Sequence, residues 1–275
     1  MICFKNAQQI ESISFLDRAF QYGDGCFTTV RFHQNVMELE SLHRARLKLS
    51  TERLYLDCDF ALLDVSIEQL KKSFGQLNGT LKVLISRGEG DRGYAMPTHD
   101  ADIFVFYYPK ETSNFQPEFI QSGVLDQAMG LTMPNLVGLK SLNRLEQVML
   151  KKEAQEKGWI EALVTDVQGS VVEGVSSNCF IRINNTWITP ELRYNGVHGV
   201  MRAEILARIQ HYDIACVQRL IDMDEISSIQ SLFFCNALSP MKIATALDQR
   251  TLDIQPCVEL FETLHLSQFN SHGDN

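Results

Sequence analysis

The amino-acid sequence predicts a mixed α/β fold made of two units. Alternating apolar and polar residues, typical of strands, dominate the first hundred residues. The polar stretch PKETSNFQPEF then interrupts this pattern with two prolines, which is typical of a linker. Helical periodicity and a strand meander follow it. We therefore expect an N-terminal α/β domain at 1–110, a linker at 111–120 and a C-terminal domain at 121–275.

The first unit opens its regular structure with a hairpin. CFTTVRFH (26–33) is strand-like, QN is a two-residue turn, and VMELE (36–40) is the returning strand. A helix should follow from Ser41, and its apolar face would carry Leu42, Ala45 and Leu49.

A second helix and two buried strands complete the prediction for this unit. The helix is IEQLKKSFGQL (67–77), and the NG at 78–79 should end it. The strands TLKVLISRG (80–88) and ADIFVFYYP (101–109) are joined by a glycine-rich loop at 88–99.

The C-terminal half predicts a helix, a meander and a second helix in that order. NRLEQVMLKKEAQEKG is helical up to Gly158, and short strands at EALVTD, SVVEG, SSNCFIRI and TWITP follow. The second helix starts after Gly199. Strands at 231–238 and 241–247 and a last helix near 256–266 close the chain.

Composition and charge narrow the functional class. With 45% apolar and 21% charged residues, the chain has the make-up of an ordinary globular protein. The N-terminal MICFKNAQQIES lacks a secretory pattern, and no apolar run is long enough to span a bilayer. The seven scattered cysteines include no CxxC pair, which fits a reducing compartment, so we expect a cytoplasmic protein without a metal. The net charge of −9 argues against nucleic acid as a partner but permits a small anionic ligand.

Three features could bind such an anion. HGVMRAEIL (198–206) places a glycine before a helix, so Val200 and Met201 would offer first-turn N–H groups to a phosphate. Asn236 lies in the strand-end turn CNALSP, and Arg46 lies on the helix after the hairpin. Each has an ordinary alternative, because most glycine–helix junctions bind nothing and most helix arginines are surface groups.

Two residues could carry covalent and acid–base chemistry. Glu173 lies between apolar residues in VVEGVSSN, where a buried carboxylate needs a partner. That partner is either a cation in a structural ion pair or the ring nitrogen of a pyridine cofactor. Lys140 follows the apolar LVGL; it is either a solvated charge or a desolvated amine that acts as a nucleophile. An amine, a carboxylate and a phosphate cup are together what pyridoxal 5'-phosphate (PLP) requires.

Other motifs of catalysis are missing from the sequence. It contains no GxxxxGK[ST], HExxH or GxSxG pattern, and RGEGDRG does not open a periodic helix as a nucleotide loop would. We interpret His43 and His198 as structural residues rather than metal ligands.

In these motifs the chain resembles the fold-type IV PLP enzymes, which include branched-chain and D-amino-acid aminotransferases and aminodeoxychorismate lyases. The matching segments, in family order, are DRAFQYGDGCFTT, HRARL, SRGEGDRGY, GLKSLNRLEQ, DVQGSVVEGVSSNCF, NGVHGVMR and CNALSP. Within the family it is most similar to the lyases, since threonine rather than glutamate follows Phe27 and Arg144 rather than tyrosine follows Asn143. The resemblance implies two domains, a smaller N-terminal α/β domain and a larger C-terminal pseudo-barrel domain, and typically a homodimer.

The resemblance also implies roles for individual residues. Lys140 would be the Schiff-base lysine, and Glu173 would face the pyridine nitrogen. Arg92 and Tyr94 would contact substrate carboxylates, although Arg92 could equally stabilise its own loop. The phosphate would be held by Arg46, Val200, Met201 and Asn236.

Three residues with hydroxyl groups complete the implied site. Thr29 alternates with Phe27 along the first strand, so both should face one side, which we take as the cofactor pocket. Thr29 could pass a proton to the leaving group, or it could be present only for its β-propensity. Ser176 and Ser177 would add hydrogen bonds behind the cofactor.

The implied activity is that of a PLP-dependent carbon–oxygen lyase. It would convert 4-amino-4-deoxychorismate to 4-aminobenzoate and pyruvate by β-elimination in folate biosynthesis, with the substrate supplied by an aminodeoxychorismate synthase. The alternative is an aminotransferase of the same family acting on D- or branched-chain amino acids. A third interpretation, a non-catalytic PLP- or anion-binding protein, does not explain a carboxylate for the ring nitrogen.

Overall fold

In a computed structural model, which describes residues 1–269, the chain forms two compact units of strands and helices. Unit 1 comprises Met1–Ser113, Leu139–Asn143 and, at the end of the described chain, Phe269. Unit 2 comprises Asn114–Gly138 and Arg144–Gln268. The predicted mixed α/β, two-domain fold class is confirmed. The first change of unit falls inside the stretch PKETSNFQPEF, and the segment that carries Lys140 belongs to unit 1.

Unit 1 is an antiparallel sheet with helices. Its strands are β1 (Ile2–Lys5), β2 (Gln8–Gln9), β3 (Gly25–His33), β4 (Val36–Met37), β5 (Gly79–Ser86) and β6 (Asp102–Pro109). Its helices are α1 (Arg18–Tyr22), α2 (Glu40–Leu54) and α3 (Ala61–Phe74). The strand order is β2-β1-β6-β5-β3-β4, so β3 lies beside β5 over its whole length.

The predicted hairpin of unit 1 is confirmed. Strands β3 and β4 pair with Phe32 opposite Met37, and the turn residues Gln34 and Asn35 have φ angles of 51° and 66°. Two left-handed residues are typical of the tight turn that matches the twist of a hairpin. Helix α3 ends earlier than predicted, because Gly75 adopts a φ of 71° at its C-cap.

The predicted apolar face of α2 was wrong. Leu49 is 41% exposed and Ala45 is exposed, whereas the buried side chains of the helix are His43, Leu47, Ser50 and Thr51. The buried face is largely polar because His43 finds a hydrogen-bond partner on β3. Hydrophobic periodicity therefore does not mark this face.

Unit 2 contains a larger sheet and a separate pair of strands. Its strands are β7 (Glu118–Ser122), β8 (Leu163–Thr165), β9 (Val171–Gly174), β10 (Asn178–Ile183), β11 (Thr186–Pro190), β12 (Cys216–Arg219), β13 (Ser231–Asn236), β14 (Ser239–Leu247) and β15 (Arg250–Thr251). The sheet order is β12-β11-β10-β13-β14-β15, with β7 parallel to β14, while β8 and β9 pair with each other.

The helices of unit 2 follow the predicted order. They are α4 (Leu145–Glu156), α5 (Val200–His211) and α6 (Gln255–Thr263), with 3-10 turns at Pro134–Leu136 and Met223–Ser228. Helix α4 gives way to Gly158, whose φ is 76°, and α5 buries Met201, Ile205 and Ile209 as its periodicity indicated. None of the helices in residues 1–269 has both the length and the apolar character that crossing a membrane requires.

Candidate active site

The segment that carries Lys140 lies along β3 in unit 1. The Phe27 N–H donates to the Lys140 carbonyl oxygen at 2.9 Å, and the Leu142 N–H donates to the Gly25 carbonyl oxygen at 3.0 Å. Strand β5 occupies one edge of β3, and β4 pairs only with its far end, so the segment takes the remaining edge. Backbone hydrogen bonds to β3 thus fix the base of the lysine side chain.

Gly25 permits this close packing. A Cβ atom at Gly25 would lie 2.1 Å from the Ile85 carbonyl oxygen and 2.9 Å from the Leu142 side chain. No side chain fits in such a gap, so the position requires glycine.

The Lys140 side chain lies beside an aromatic ring on the outer face of β3. Its Nζ is 4.7 Å from the centroid of the Phe27 ring, and the Nζ of Lys82 on β5 is 4.8 Å from the same centroid. Thr29 is opposite Lys82 in the strand register. The alternating neighbour Val30 belongs to the buried core instead, so Phe27 and Thr29 share the other face, as predicted.

Lys82 is a further candidate for the site, and the sequence interpretation missed it. It is half-buried, and burial lowers the pKa of its amine. The signal was present, because it is the charged residue between apolar neighbours in TLKVLISRG. A lysine in a buried strand is unusual enough to mark a functional position.

Arg46 contacts the opposite face of β3 from Thr29. Its Nη1 lies 3.4 Å from Oγ1 of Thr28, a fully buried residue whose hydroxyl also lies 2.6 Å from Nδ1 of His43. This contact agrees with the structural interpretation of His43. The phosphate-binding role of Arg46 stays a prediction.

Arg92 and Tyr94 lie exposed on the loop between β5 and β6. Tyr94 is 88% exposed, and its ring packs edge-on against Tyr22 at 5.8 Å between centroids. The loop is held by Arg18, which donates to the Gly93 carbonyl oxygen. Neither residue is enclosed in unit 1, and their contact with substrate stays a prediction.

Glu173 is buried on β9 in unit 2, with two donors on one carboxylate oxygen. Its Oε2 accepts from the Val197 N–H at 3.0 Å and from Nδ2 of Asn178 at 3.2 Å. Burial lowers the pKa of the Arg144 guanidinium, and the negative charges of Glu173 and Glu146 oppose that shift. The carboxylate is therefore hydrogen-bonded and interacts with the Arg144 charge, which agrees with the predicted need for a cationic partner.

Asn178 connects Glu173 to the start of α5, and the sequence interpretation missed it. Its Nδ2 also donates to the Val197 carbonyl oxygen at 2.9 Å. A Cβ atom on Gly199 would lie 1.9 Å from Oδ1 of Asn178, so the helix start requires glycine. As an uncharged residue at the beginning of a strand, Asn178 carried no signal beyond its place in SSNCF.

The N-terminus of α5 is open. Gly199 is the N-cap and offers no side chain to the first-turn amides of Val200 and Met201. Such amides, at the positive end of a helix dipole, are suited to a phosphate. Both residues are buried, and the helical backbone points their N–H groups out of the N-terminal end of α5.

Asn236 and Ser176 form a second group in unit 2. Oδ1 of Asn236 accepts from the N–H groups of Leu238 and Ser239, each at 3.0 Å, which closes the turn after β13. Its Nδ2 donates to Oγ of Ser177 at 3.0 Å and to the Ser176 carbonyl oxygen at 3.4 Å. The side chain therefore shapes the turn, and its predicted contact with phosphate stays a prediction.

The residues of each unit, taken separately, suit parts of a PLP molecule. Unit 1 offers a half-buried amine beside an aromatic ring, and unit 2 offers a buried carboxylate beside an uncapped helix start. In unit 2, Asn178 pairs with Cys235 across β10 and β13, so the turn at Asn236 adjoins the same region as Glu173. The amine, the carboxylate and the first-turn amides match, in that order, an aldehyde, a ring nitrogen and a phosphate.

Known proteins resemble the chain over most of its length. Residues 25–246 match the family model described as amino-transferase class IV. The chain is 30% identical to the aminodeoxychorismate lyase of Vibrio harveyi over 227 residues, which are 81% of this chain and 82% of that protein. The crystal structure of 4-amino-4-deoxychorismate lyase from Pseudomonas aeruginosa has a TM-score of 0.84 at 30% identity and covers 96% of this chain and 98% of its own.

A more distant structure agrees on the fold. A hypothetical aminotransferase from Mycobacterium tuberculosis, in its PLP-bound form, has a TM-score of 0.79 at 19% identity and covers 97% of this chain and 98% of its own. The resemblance to fold-type IV PLP enzymes is thus confirmed. Because the family model spans residues 25–246, the chain belongs to the class IV amino-transferase family.

Proposed function

We propose that the protein is a PLP-dependent lyase that converts 4-amino-4-deoxychorismate to 4-aminobenzoate and pyruvate in folate biosynthesis. The observation that supports this function is the similarity to two proteins named as aminodeoxychorismate lyases. Each is matched at 30% identity over more than four fifths of its length. Lys140 lies beside Phe27, which shares one face of β3 with Thr29. Unit 1 therefore brings together an amine and a hydroxyl that could transfer protons in the reaction.

Lys140 has two tasks in this reaction. Bound PLP supplies an aldehyde that joins to amines and a protonated ring that withdraws electrons from the adjoining carbon. The Lys140 amine would hold the cofactor aldehyde while no substrate is bound, and it would then be the base that takes the proton from the substrate ring carbon that bears the nitrogen. Loss of that proton and departure of the enolpyruvyl oxygen from the neighbouring carbon would make the six-membered ring aromatic.

In this proposal Thr29 acts on the leaving group of the substrate, and Lys82 binds one of its carboxylates. The leaving enolpyruvyl group needs a proton, which Lys140 or the hydroxyl of Thr29 delivers, and it ends as pyruvate. Lys82, opposite Thr29 in the register, offers a cation to one substrate carboxylate. Arg92 is the candidate for the other carboxylate.

Glu173 and the open start of α5 hold the cofactor from unit 2. The Glu173 carboxylate would keep a proton on the pyridine nitrogen, while its own position is fixed by Asn178 and the Val197 N–H. In unit 2 the amides of Val200 and Met201 would bind the phosphate, and for Arg46 of unit 1 a phosphate contact is what the family resemblance implies. The contacts of Asn236 described above favour an indirect role for its side chain in this cup.

A coupled assay tests the proposed function. Purified protein loaded with PLP is given 4-amino-4-deoxychorismate, freshly made by an aminodeoxychorismate synthase, and 4-aminobenzoate and pyruvate are measured. Equal amounts of both products support the lyase. An aminotransferase would instead lose the absorbance of its lysine-bound cofactor when D- or branched-chain amino acids are added alone, without releasing pyruvate from the chorismate compound.

A homodimer is part of this proposal. Large apolar side chains lie exposed on two touching segments of unit 1, where the Gly90 N–H donates to the Leu16 carbonyl oxygen at 3.3 Å. The exposed residues include Phe15, Phe20, Tyr94 and Met96. A patch of this kind on a globular protein is typical of an interface. Light scattering should give twice the chain mass, and Phe20→Glu should shift the protein towards the monomer.

A cytoplasmic location is also proposed. All seven cysteines are free thiols, which fits a reducing compartment. Fractionation of cells that express the native chain would test it, with the protein expected in the cytosolic fraction together with the synthase that supplies its substrate.

A further inference from the structure

A buried carboxylate that the proposed mechanism does not use lies behind the turn at Asn236. Glu161, just before β8, is 1% exposed. It accepts hydrogen bonds from both hydroxyl groups of Ser176 and Ser177, the latter at 2.7 Å, and from the Ser176 N–H at 3.1 Å. Three donors converge on this one group, which is typical of a carboxylate that organises its neighbours.

The surroundings of Glu161 are built to hold it. Nζ of Lys242, itself 9% exposed, lies 3.9 Å from Oε1 of Glu161 and faces it with a positive charge. A Cβ atom on Gly174 would lie 2.9 Å from Oε2 of Glu161 and 2.6 Å from the Phe234 ring. The glycine on β9 therefore leaves the space that the carboxylate fills.

The direction of each hydrogen bond follows from the chemistry of the groups. An ionised carboxylate only accepts, so the hydroxyls of Ser176 and Ser177 must both give their protons to Glu161. Oγ of Ser177 then has only lone pairs left, and it accepts from Nδ2 of Asn236 at 3.0 Å. This orients the amide so that Oδ1 of Asn236 receives the two backbone N–H groups of the turn.

We propose that Glu161, facing Lys242, is a positioning residue for the cofactor phosphate and acts through Ser177 and Asn236 on the turn at 236–239. Glu161 accepts from the hydroxyl of Ser177, Ser177 accepts from the amide of Asn236, and Asn236 shapes the turn that the proposed function assigns to the phosphate. This inference rests on the proposed function, because it requires that unit 2 bind PLP.

The test compares two ligands that differ only in the phosphate. Apo-protein is titrated with PLP and, separately, with pyridoxal, and the absorbance of the lysine-bound form gives each dissociation constant. Glu161→Gln should weaken PLP binding about tenfold, as expected when a hydrogen bond to a charged group is lost, and should leave pyridoxal binding unchanged. An equal loss for both ligands, or no loss for either, overturns the proposal.

Further variants keep the test decisive if Glu161→Gln does not fold. Ser177→Ala and Lys242→Met should each weaken PLP selectively, and equal effects on PLP and pyridoxal in both would contradict the inference. In the double variant Glu161→Gln/Ser177→Ala, the loss should be no larger than in Glu161→Gln alone, because both act through one hydroxyl. Additive losses would contradict that path.

Glu153→Gln is the matched control. Glu153 is another buried glutamate of unit 2 and accepts from the backbone N–H groups of Asp126 and Gln127, away from the serines. Its replacement should not change the ratio of the PLP and pyridoxal dissociation constants. If the wild-type protein binds neither ligand, the proposed function itself is wrong. If the wild type binds PLP but the ratio of the two dissociation constants is unchanged in Glu161→Gln, only this inference is wrong.

Discussion

Nδ1 of His43 lies 2.6 Å from Oγ1 of Thr28, with both side chains buried in unit 1. Burial, with a smaller effect from the charge of Arg46, lowers the pKa of His43 to about 3, so the ring is neutral at neutral pH. Nη1 of Arg46 lies 3.4 Å from the same hydroxyl oxygen and can only donate to it. The neutral His43 ring and the Thr28 hydroxyl share one hydrogen bond, and the tautomer of the ring sets which of the two donates.

This pair predicts a pH dependence of stability. The folded pKa of His43, about 3, is below its ordinary value of 6.5, so the unfolded chain binds the extra proton first as the pH falls. The stability contributed by neutral His43 is complete above pH 6.5 and is lost towards pH 3, with a slope of about 1.4 kcal/mol per pH unit. Urea unfolding from pH 7 to 4 measures this slope.

His43→Gln is the variant for comparison, because an amide can still form a hydrogen bond with the Thr28 hydroxyl but does not titrate. The difference in unfolding free energy between wild type and variant should shrink as the pH falls. A difference that stays constant from pH 7 to 4 would show that His43 is not held neutral.

Gly25→Ala should disturb the support of Lys140. The added methyl group would lie 2.1 Å from the Ile85 carbonyl oxygen, so β3 and β5 or the Lys140 segment must move apart. We expect a loss of about 1–3 kcal/mol in unfolding free energy, together with weaker PLP binding. Gly130→Ala is the control, since a Cβ there meets only the end of the Glu146 side chain, at 3.3 Å. Equal stability of the two variants would contradict the close packing.

The elements of the fold could largely be predicted from the sequence, because strands, turns and the helix around Met201 follow local periodicity. The face of α2 could not, because its burial is decided by a polar contact between His43 and Thr28. Nor does the sequence carry a local signal that Lys140 lies along β3. That contact joins residues more than a hundred positions apart through backbone atoms, so apart from the glycine at position 25 it requires no particular side chain.

The candidate site was predictable only where its residues stand out. Lys140 and Glu173 are charged groups among apolar neighbours, and Gly199 precedes a periodic helix. Asn178 and Glu161 were missed because their roles depend on partners brought near by folding, Gly199 and Ser177 respectively.

Lys82→Met should weaken substrate binding more than it slows turnover. The change removes a half-buried cation beside Phe27 and keeps most of the side-chain volume, so KM should rise about tenfold while kcat changes little. Steady-state kinetics with 4-amino-4-deoxychorismate give both values. Lys48→Met, on the exposed side of α2, is the control and should change neither. A fall in kcat without a change in KM would remove Lys82 from carboxylate binding.

Glu173→Gln should retain the cofactor but slow the reaction by roughly a hundredfold or more. An amide can still accept from the Val197 N–H, but it cannot hold a proton on the pyridine nitrogen. Cofactor content by absorbance and turnover by the coupled assay are measured on the same sample. A rate equal to that of wild type would show that Glu173 takes part only in a structural ion pair.

The identity of the lysine that bonds PLP tests the account most directly, because Lys82 and Lys140 both lie beside the Phe27 ring. PLP-loaded protein is reduced with borohydride, digested, and its peptides are mapped by mass spectrometry. The account predicts the added pyridoxyl mass on Lys140, and no labelling in Lys140→Ala. Labelling of Lys82 in the wild-type protein, or of no lysine at all, would contradict it.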